Sequence, residues 1–437
     1  MPRTVAQNSS ESDEKFAPET EVRILRVAGG GDGVGRLTDG RTVFVPRTAP
    51  GDLVELRYFK HASRYSRGRV VRVLEPGPNR VIPPCPHYTR DQCGGCQLQH
   101  MTLDAQLSAK QAIVGEALRR VGGISVEDPT MVPAAKPWEY RAKITLAVDG
   151  RGRIGLHPWD QPTAVFALDR CHITDPSLMA LWRVIRRYLR LLPEKMSHLV
   201  LRLDRDGARH VVVMVAGTDV WQSAPRLAER LAVALVPAIL WWHPEGGAPR
   251  VVAGARDAYP ATVFEQVNPQ MGDLVRSYAL EQLGQVEGQH VWDLYAGIGE
   301  STTSLLRAGA SVESVEIDPR AVRIAERRVR ESLGLSPEAP LPSRVACRVG
   351  LVEEVAGRLS RPDLVLANPP RAGMDSGAIE AIVAVLPRKL VYISCDPATL
   401  ARDIARLKPT FRVVGTQGFD LFPQTAHVET VAILEAA

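Results

Sequence analysis

The stretch HVWDLYAGIGE, residues 290–300, decides how the C-terminal part of this chain folds. It reads as a short apolar strand, a glycine-containing turn and the start of a helix. A second strand-like run, SVESVEI at residues 311–317, follows one helix later, and helix-like and strand-like runs continue to alternate as far as residue 408. Such alternation predicts an α/β domain built on a parallel, doubly wound sheet.

The turn after the first strand has the form of a ligand-binding loop. Gly297 and Gly299 allow a ligand to approach the backbone, and Glu316, at the end of the next strand, follows about twenty residues later, where a carboxylate can accept hydrogen bonds from ribose hydroxyls. Because the third glycine of a Rossmann pyrophosphate site is missing, the pattern favours S-adenosylmethionine over a dinucleotide. The alternative is a plain helix-packing turn without a ligand.

Three further segments precede this Rossmann-like domain, so the chain is predicted to be multidomain. Residues 1–18 are polar and predict a disordered tail. Residues 19–78 hold short β-type runs between turn residues, which predicts a small, OB-like β-barrel. Residues 79–260 mix helix-like and strand-like runs around several cysteines, which predicts a central α+β domain. The α/β domain then covers residues 261–437.

A basic patch lies within the predicted barrel. Residues 57–72 contain no Asp or Glu, and basic side chains alternate there with Tyr58, Phe59 and Tyr65. This mixture suits RNA, because cations contact phosphates while aromatic rings stack on bases. The alternative is a solvated strand face. The basic residues of the patch are Arg57, Lys60, Arg64, Arg67, Arg69 and Arg72.

Four of the six cysteines are spaced as metal ligands. Cys85, Cys93, Cys96 and Cys171 follow the pattern C-x7-C-x2-C-x74-C. Three close thiols and one distant thiol are typical of iron–sulfur ligation. Zinc is the chief alternative, since it also accepts four cysteines, or three with one histidine. The histidines close to these thiols in sequence are His87, His100 and His172.

The other two cysteines differ in their surroundings. Cys347 lies in the apolar run RVACRVG and is interpreted as a buried core residue. Cys395 follows the strand KLVYIS and precedes a helix that begins near Pro397. A helix N-terminus lowers the pKa of a thiol, so thiolate formation is predicted at Cys395, although Asp396 opposes it. Near the C-terminus, Glu429 precedes the strand VAILEA and is a candidate base, or else a solvated charge.

Composition and charge restrict the remaining possibilities. The 437 residues carry a net charge of +5, which is too small by itself to indicate nucleic acid. The polar N-terminus lacks the apolar stretch of a secretory signal, and no apolar run is long enough to cross a membrane. We therefore expect a cytoplasmic protein with reduced thiols and no membrane contact. Nothing in the sequence implies a protein partner.

Eight motifs occur along the chain in this order: CPHY, CGGCQLQH, FEQVN, DLYAGIGE, VEID, NPPRAG, SCDPATL and LFPQTAHVET. Taken together, they resemble the RNA uracil-C5 methyltransferase family, in particular the branch that methylates 23S rRNA. The resemblance implies that the barrel is an RNA-binding TRAM domain and that the four spaced cysteines hold a [4Fe-4S] cluster. It further implies that Cys395 is the nucleophile and Glu429 the base, and that S-adenosylmethionine lies against Gln266, Tyr295, Glu316 and Asn368.

The chemistry of uracil agrees with these residue types. Uracil C5 is a poor nucleophile, so a thiolate must first add to C6 before C5 can take a methyl group. One position departs from the family, since Asn368 stands where an aspartate is usual, and an N-P-P sequence followed by an aromatic residue is typical of amino-group methyltransferases. Here Arg371 takes the aromatic position. The alternatives are a tRNA uracil-C5 methyltransferase, an amino-group methyltransferase and a non-catalytic RNA-binding factor.

Overall fold

A computed structural model of the protein describes residues 20–62, 65–255 and 265–437. The chain divides into two compact units. One unit ends at Ile82 and also includes His100–Thr102, whereas the other comprises Pro83–Gln99 and Leu103–Ala437. The tail predicted for residues 1–18, Arg64 of the basic patch and the domain boundary predicted at residue 261 lie outside the described residues.

The first unit contains a closed five-stranded barrel with the strand order β1-β2-β3-β5-β4. Alternate residues of β1 point inward, so Val22 and Ile24 pack against Val54 and Leu56 of β4 in the barrel core. The small barrel predicted from the sequence is therefore confirmed. Its strands are β1 (Thr20–Val27), β2 (Gly33–Arg36), β3 (Thr42–Val45), β4 (Leu53–His61) and β5 (Tyr65–Glu75).

Acidic residues accompany the basic patch of the barrel. Arg67 forms an ion pair with Asp32 at 2.9 Å, and Arg72 forms one with Glu55 at 2.7 Å. The acidic partners lie outside residues 57–72, so a reading of that stretch alone could not find them. Part of the positive charge of the patch is therefore balanced within the barrel, and its role in RNA binding stays a prediction.

The second unit begins with a seven-stranded sheet of order β13-β12-β11-β10-β7-β8-β9. Helices α3 and α4 cover one face, where Trp182 and Leu227 pack into the core. The elements are α1 (Pro86–Thr89), α2 (Leu103–Arg120), β6 (Met131–Val132), β7 (Lys143–Val148), β8 (Ile154–Leu156), β9 (Phe166–Ala167), α3 (Pro176–Ile185), a 3₁₀ turn (Arg186–Leu191), β10 (Met196–Leu203), β11 (Arg209–Val215), α4 (Ala224–Val233), β12 (Ile239–Pro244) and β13 (Arg250–Ala253).

An eight-stranded sheet of order β16-β15-β14-β17-β18-β20-β19-β6 forms the rest of this unit. Its strands and helices are α5 (Pro269–Leu283), β14 (His290–Leu294), α6 (Glu300–Arg307), β15 (Ser311–Glu316), α7 (Pro319–Ser332), β16 (Val345–Val349), α8 (Val352–Val355), a 3₁₀ turn (Ala356–Arg358), β17 (Leu364–Ala367), α9 (Ser376–Val385), β18 (Lys389–Ser394), α10 (Pro397–Leu407), β19 (Phe411–Phe419) and β20 (Glu429–Ala436).

The predicted parallel arrangement is confirmed for β16, β15, β14, β17 and β18. The end of the chain differs, because β20 runs antiparallel to both β18 and β19. The connection between β19 and β20, residues 420–428, contains no helix, and a parallel return to the same sheet needs a crossover of a dozen or more residues. This antiparallel strand lies next to the strand that ends at Cys395.

A segment assigned from sequence to the central domain belongs structurally with the C-terminal sheet. Helix α2 packs Val114 and Leu118 into the same core as Leu400 and Ile404 of α10. Strand β6 pairs with β19 and extends the sheet. Within the part of the chain that the structure describes, no helix combines the length and the apolar character that a bilayer crossing needs.

Leu118 tests the packing of α2 on the C-terminal core. Leu118 is fully buried, whereas Leu103 at the start of the same helix is 42% exposed. We expect Leu118→Ala to lower the free energy of unfolding by about 2–4 kcal/mol, because it leaves a cavity in a closely packed core. Leu103→Ala is the matched control and should change it by less than about 0.5 kcal/mol. Denaturant unfolding measures both, and equal losses would contradict this packing.

Candidate active site

The register of two antiparallel strands brings Cys395 and Glu429 together. Strand β18 ends at Ser394, which lies opposite Thr430 of β20. Cys395 therefore leaves β18 at the level where Glu429 begins β20. Asp396 then caps helix α10 through its side chain, so Cys395 lies between a strand end and a helix N-terminus. The predicted nucleophile and the predicted base share one site.

Glu429 is a buried carboxyl group with an unsatisfied oxygen. Its side chain is 2% exposed, and the Oε2 atom has no hydrogen-bond partner among the described residues. Burial raises the pKa of Glu429 to about 8, and the positive charge of Arg371 partly opposes this. Near neutral pH the group is largely protonated in the free protein. A buried carboxyl group with a pKa near the working pH is typical of acid–base catalysts.

The thiol of Cys395 differs from the expectation drawn from its helix N-terminus. Burial is the main cause that raises the pKa of Cys395, and the nearby Glu429 carboxylate adds to it. Arg371 acts in the opposite direction. The prediction of a lowered thiol pKa is wrong for the free protein, because desolvation of the half-buried sulfur outweighs the helix end. Ionisation of this thiol therefore depends on the charges around it.

Arg371 is the cation that faces this site. Its Nη2 atom lies 3.5 Å from His427 Nε2. Its charge opposes the rise in the pKa of Cys395 and of Glu429, and it contributes to the lowered pKa of His427. Burial is the larger cause at His427 and lowers the pKa of its ring to about 4, so the ring is neutral. The Phe422 ring packs edge-on against it at 5.9 Å between centroids. Arg371 thus favours the ionised forms that an addition–elimination reaction requires.

The glycine turn after β14 contacts the acidic residue predicted to accompany it. The Gly297 N–H donates to Glu316 Oε2 at 2.9 Å, and the Asp318 N–H donates to Glu316 Oε1 at 2.9 Å. A β-carbon at Gly297 would meet nothing within 4 Å, so open space lies beside the turn. Gly299 has a φ of 76°, and a β-carbon there would lie 2.6 Å from that of Ala325 on α7. Glycine is therefore required for α7 to pack closely.

Tyr295, at the start of this turn, adopts a φ of 60°. A bulky residue in the left-handed region costs about 1–3 kcal/mol, and such residues concentrate at functional sites. Burial raises the pKa of the Tyr295 hydroxyl well above its ordinary value. The turn therefore combines a strained aromatic residue, an open glycine and a carboxylate that retains lone pairs for further hydrogen bonds.

The other two predicted cofactor residues lie in different places. Asn368 follows β17 directly, and its N–H donates to the Leu294 carbonyl at 3.2 Å, which puts Asn368 beside the end of β14. Its side chain is exposed. Gln266 instead lines a small pocket with Arg202 and Glu265. The structure thus brings Asn368 to the glycine turn but places Gln266 in a pocket of its own.

The four spaced cysteines line one cavity. Its volume is about 100 Å³, several times the roughly 10–15 Å³ that one water needs. Within the described ranges, no group of three or more His, Cys, Asp or Glu side chains could hold a single metal ion. The side chains in question are Cys85, Cys93, Cys96 and Cys171, with His87 and His172 beside them.

Backbone N–H groups lie near these sulfur atoms. Those of Tyr88, His87 and His172 act to lower the pKa of Cys85. The Gly95 N–H donates to Cys93 Sγ at 3.4 Å. Burial raises the pKa of Cys85, and more strongly that of Cys96, so both thiols stay neutral unless a metal compensates their charge. The donor set fits a group bound by four thiolates.

Comparison with known proteins identifies the family. A profile of the TRAM domain matches residues 19–71, and a profile of tRNA (uracil-5-)-methyltransferases matches residues 359–437. An uncharacterized RNA methyltransferase of Gloeobacter violaceus is 34% identical over 95% of this chain and 96% of its own length. The 23S rRNA (uracil(1939)-C(5))-methyltransferase RlmD of Dechloromonas aromatica is 31% identical over 91% of this chain and 95% of its own length. The chain belongs to the RNA uracil-C5 methyltransferase family.

The fold of this uracil-C5 methyltransferase agrees with a solved structure. The crystal structure of Pyrococcus abyssi tRNA (uracil-54, C5)-methyltransferase, in complex with S-adenosyl-L-homocysteine, aligns with a TM-score of 0.67. Sequence identity is 22%, and the alignment covers 95% of this chain and 100% of that chain. The N-terminal barrel is a TRAM domain, as the resemblance implied.

One site residue of this uracil-C5 methyltransferase had no sequence signal. Asp403 on α10 is fully buried and accepts hydrogen bonds from the Tyr392 hydroxyl at 2.7 Å and the Met374 N–H at 2.9 Å. The Thr399 hydroxyl donates to the Arg371 carbonyl at 3.1 Å. These bonds tie residues 371–374 to β18 and α10. Asp403 lies in the middle of an ordinary amphipathic helix, where no motif marks it.

Glu429 should leave a signature in the pH dependence of stability. Its pKa in the folded protein, about 8, exceeds the ordinary value of 4.5, so the folded state holds the proton more tightly than the unfolded state. This stabilisation is complete below pH 4.5 and is lost as the pH rises through 8. Because glutamine stays neutral, we expect Glu429→Gln to gain about 1 kcal/mol or more over the wild type between pH 5 and pH 9.

Denaturant unfolding at these two pH values measures this difference. The exposed Glu380 provides the matched control, and Glu380→Gln, a surface substitution, should change the free energy of unfolding by less than about 0.5 kcal/mol. A stability difference between Glu429→Gln and the wild type that is the same at both pH values would show that the carboxyl group of Glu429 titrates normally.

Proposed function

We propose that this protein transfers the methyl group of S-adenosylmethionine to C5 of a uridine in 23S rRNA, through a covalent adduct between Cys395 and C6 of the base. The observation that carries the proposal is the pairing of β18 with β20, which sets Cys395 beside a buried Glu429. The rRNA substrate is taken from the relative of Dechloromonas aromatica.

Cys395 begins the reaction. The thiol first loses its proton to solvent. The thiolate then adds to C6, and the electron pair of the C5=C6 bond moves toward C5 and the O4 carbonyl, which makes C5 nucleophilic. Arg371 supports this step because its positive charge favours the thiolate. Glu429, protonated near neutral pH, does not oppose the negative charge on sulfur at this stage.

Glu429 completes the reaction. Once C5 carries the methyl group and Glu429 has released its own proton to solvent, the Glu429 carboxylate removes the C5 proton. The C–H electron pair then re-forms the C5=C6 bond, and the bond between C6 and sulfur breaks. Cys395 leaves as a thiolate. A base with a pKa near 8 is well matched to this task, since it is stronger than an ordinary carboxylate and can still ionise near neutral pH.

The turn after β14 supplies the cofactor site. Glu316 would accept hydrogen bonds from the ribose hydroxyls. Tyr295 and Gly297, which has open space beside it, would border the rest of the cofactor. S-adenosylmethionine, when bound, supplies the methyl group that C5 takes. We assign Asn368 to this site because it lies beside the end of β14. Gln266 is assigned on the family resemblance.

RNA recognition requires the target base to leave its stack. Enzymes that act on a base in folded nucleic acid extrude it, at a cost of a few kcal/mol. The TRAM barrel, with its exposed Arg57 and Arg69, would hold the flanking RNA through phosphate contacts.

We further propose that the four cysteines around the second-unit cavity hold a [4Fe-4S] cluster. All four cysteines line one cavity of about 100 Å³, which exceeds the space that one ion needs. The hydrogen bond from the Gly95 N–H to Cys93 Sγ suits a thiolate ligand of a cluster.

Trapping the adduct tests the methylation proposal. With RNA that contains 5-fluorouridine, the fluorine at C5 cannot leave as a proton does, so the methylated adduct should persist on denaturing gels. We expect the adduct in the wild type and in Glu429→Gln, and its loss in Cys395→Ala. Cys347→Ala, a second thiol removed from the fold, is the matched control and should retain it. An active wild type without any adduct would exclude covalent C5 chemistry and favour methylation of an amino group.

Metal analysis tests the cluster proposal. Protein purified without oxygen should contain about four iron atoms per chain and absorb visible light. Cys93→Ala should lower the iron content, while Cys347→Ala should leave it unchanged. Colourless protein with one zinc ion per chain would contradict the cluster proposal and indicate a zinc site instead.

A further inference from the structure

Gln424, a few residues before Glu429, has a backbone conformation that glutamine rarely adopts. Its φ is 69°, in the left-handed region, and its side chain is 2% exposed. Such a conformation persists only where the surrounding structure determines it. Here a reciprocal pair of hydrogen bonds does so: the Gln424 N–H donates to Gln106 Oε1 at 3.0 Å, and Gln106 Nε2 donates to Gln424 Oε1 at 3.0 Å.

The same residue is joined to the cysteine segment. The Gln424 carbonyl accepts the N–H groups of Gln97 at 3.1 Å and Leu98 at 3.0 Å. Two residues further on, the Ala426 N–H donates to Gln97 Oε1 at 3.3 Å. Gln97 directly follows Cys96, so the segment that carries the cysteines is hydrogen-bonded to this loop at two residues, Gln424 and Ala426.

Other donors hold the preceding carbonyls of this loop. The Asn268 amide donates to the Leu421 carbonyl, Lys110 Nζ to the Phe422 carbonyl and the Tyr140 hydroxyl to the Pro423 carbonyl, each at 3.0 Å. Lys110 is fully buried and also pairs with Asp420. Each of the four carbonyls from residue 421 to residue 424 therefore accepts a hydrogen bond from outside the loop.

We propose that Gln97, Gln106 and Gln424 are positioning residues for uracil methylation: they fix the loop of residues 420–428 and thereby hold Glu429 in line with the C5 proton. This inference rests on the proposed function. The loop ends directly at Glu429, so a displacement of Gln424 is transmitted to the base through four residues. The buried amides provide the rigidity, because each displaced amide would leave a polar group unpaired in the core.

The nucleophile is held by different contacts. Cys395 lies between β18 and α10, where the Ser394 hydroxyl contacts the backbone of Asp396 and the Asp396 side chain accepts the Thr399 N–H at 2.9 Å. Loosening the loop therefore moves Glu429 and leaves Cys395 in place. Thiolate addition and methyl transfer should continue, while removal of the C5 proton and release of the thiolate should slow. A methylated adduct should accumulate on ordinary RNA.

Two variants with a matched control separate these steps. Gln106→Met keeps the volume of the side chain and removes its amide, and Gln424→Gly removes the amide while relieving the backbone strain. Gln161→Met makes the same change at an exposed glutamine. Three quantities are measured in each protein: 5-methyluridine turnover, the rate of adduct formation with 5-fluorouridine RNA, and the covalent adduct present on ordinary RNA.

We expect Gln106→Met and Gln424→Gly to lower turnover by about 10- to 100-fold, with adduct formation on 5-fluorouridine RNA within about twofold of the wild type. Both variants should show adduct on ordinary RNA, and Gln161→Met should behave as the wild type. Equal losses of turnover and of adduct formation would overturn the proposal in favour of general destabilisation, as would full turnover in either variant. If the wild type itself forms neither product nor adduct, the proposed function fails instead.

Discussion

The antiparallel pairing of β18 with β20 is the constraint on which the site depends. Side chains alternate across a strand, so a slip by one residue would turn Glu429 to the opposite face of the sheet and away from Cys395. Close packing opposes such a slip, because the side chains of β18 from Leu390 to Ser394 and those of β20 from Glu429 to Leu434 are buried and would all have to repack. The packed core thus fixes the strand register that brings two groups remote in sequence to one site.

Burial also disfavours simultaneous ionisation of the two reactive groups, Cys395 and Glu429. The same desolvation raises the pKa of Cys395 and of Glu429, and a Glu429 carboxylate raises the pKa of the thiol further. Two negative charges side by side are therefore disfavoured, while Arg371 favours one of them. The chemistry needs them in succession, since the thiolate is consumed when it adds to C6 and the carboxylate is needed only afterwards. A site in which Arg371 faces two mutually repelling anions matches that order.

Local sequence patterns predicted the contacts that depend on neighbouring residues. They did not predict the contacts and pKa values that depend on segments distant in sequence. The contact between Gly297 and Glu316 followed from the spacing of one strand–turn–helix unit, and the barrel followed from short alternating strands. The pairing of Gln106 with Gln424, more than 300 residues apart, has no local pattern that could announce it. The prediction of a lowered thiol pKa at Cys395 was wrong for the same reason. A helix N-terminus is visible in the sequence, whereas the desolvation that outweighs it comes from the folded core.

The position of the cysteine segment gives a physical reason for the proposed cluster. Addition of a thiolate, methyl transfer and elimination exchange no electrons with an external acceptor, so the reaction itself has no use for a redox centre. The segment between Cys85 and Cys96 has only one four-residue helix, and ordering such a chain costs about 1–2 kcal/mol per residue. Thiolates fixed on one cluster would offset that cost. Gln97 directly follows Cys96, and its side chain accepts a hydrogen bond from the Ala426 N–H in the loop before Glu429. We therefore infer that ordering of the cysteine segment also restrains the position of Glu429.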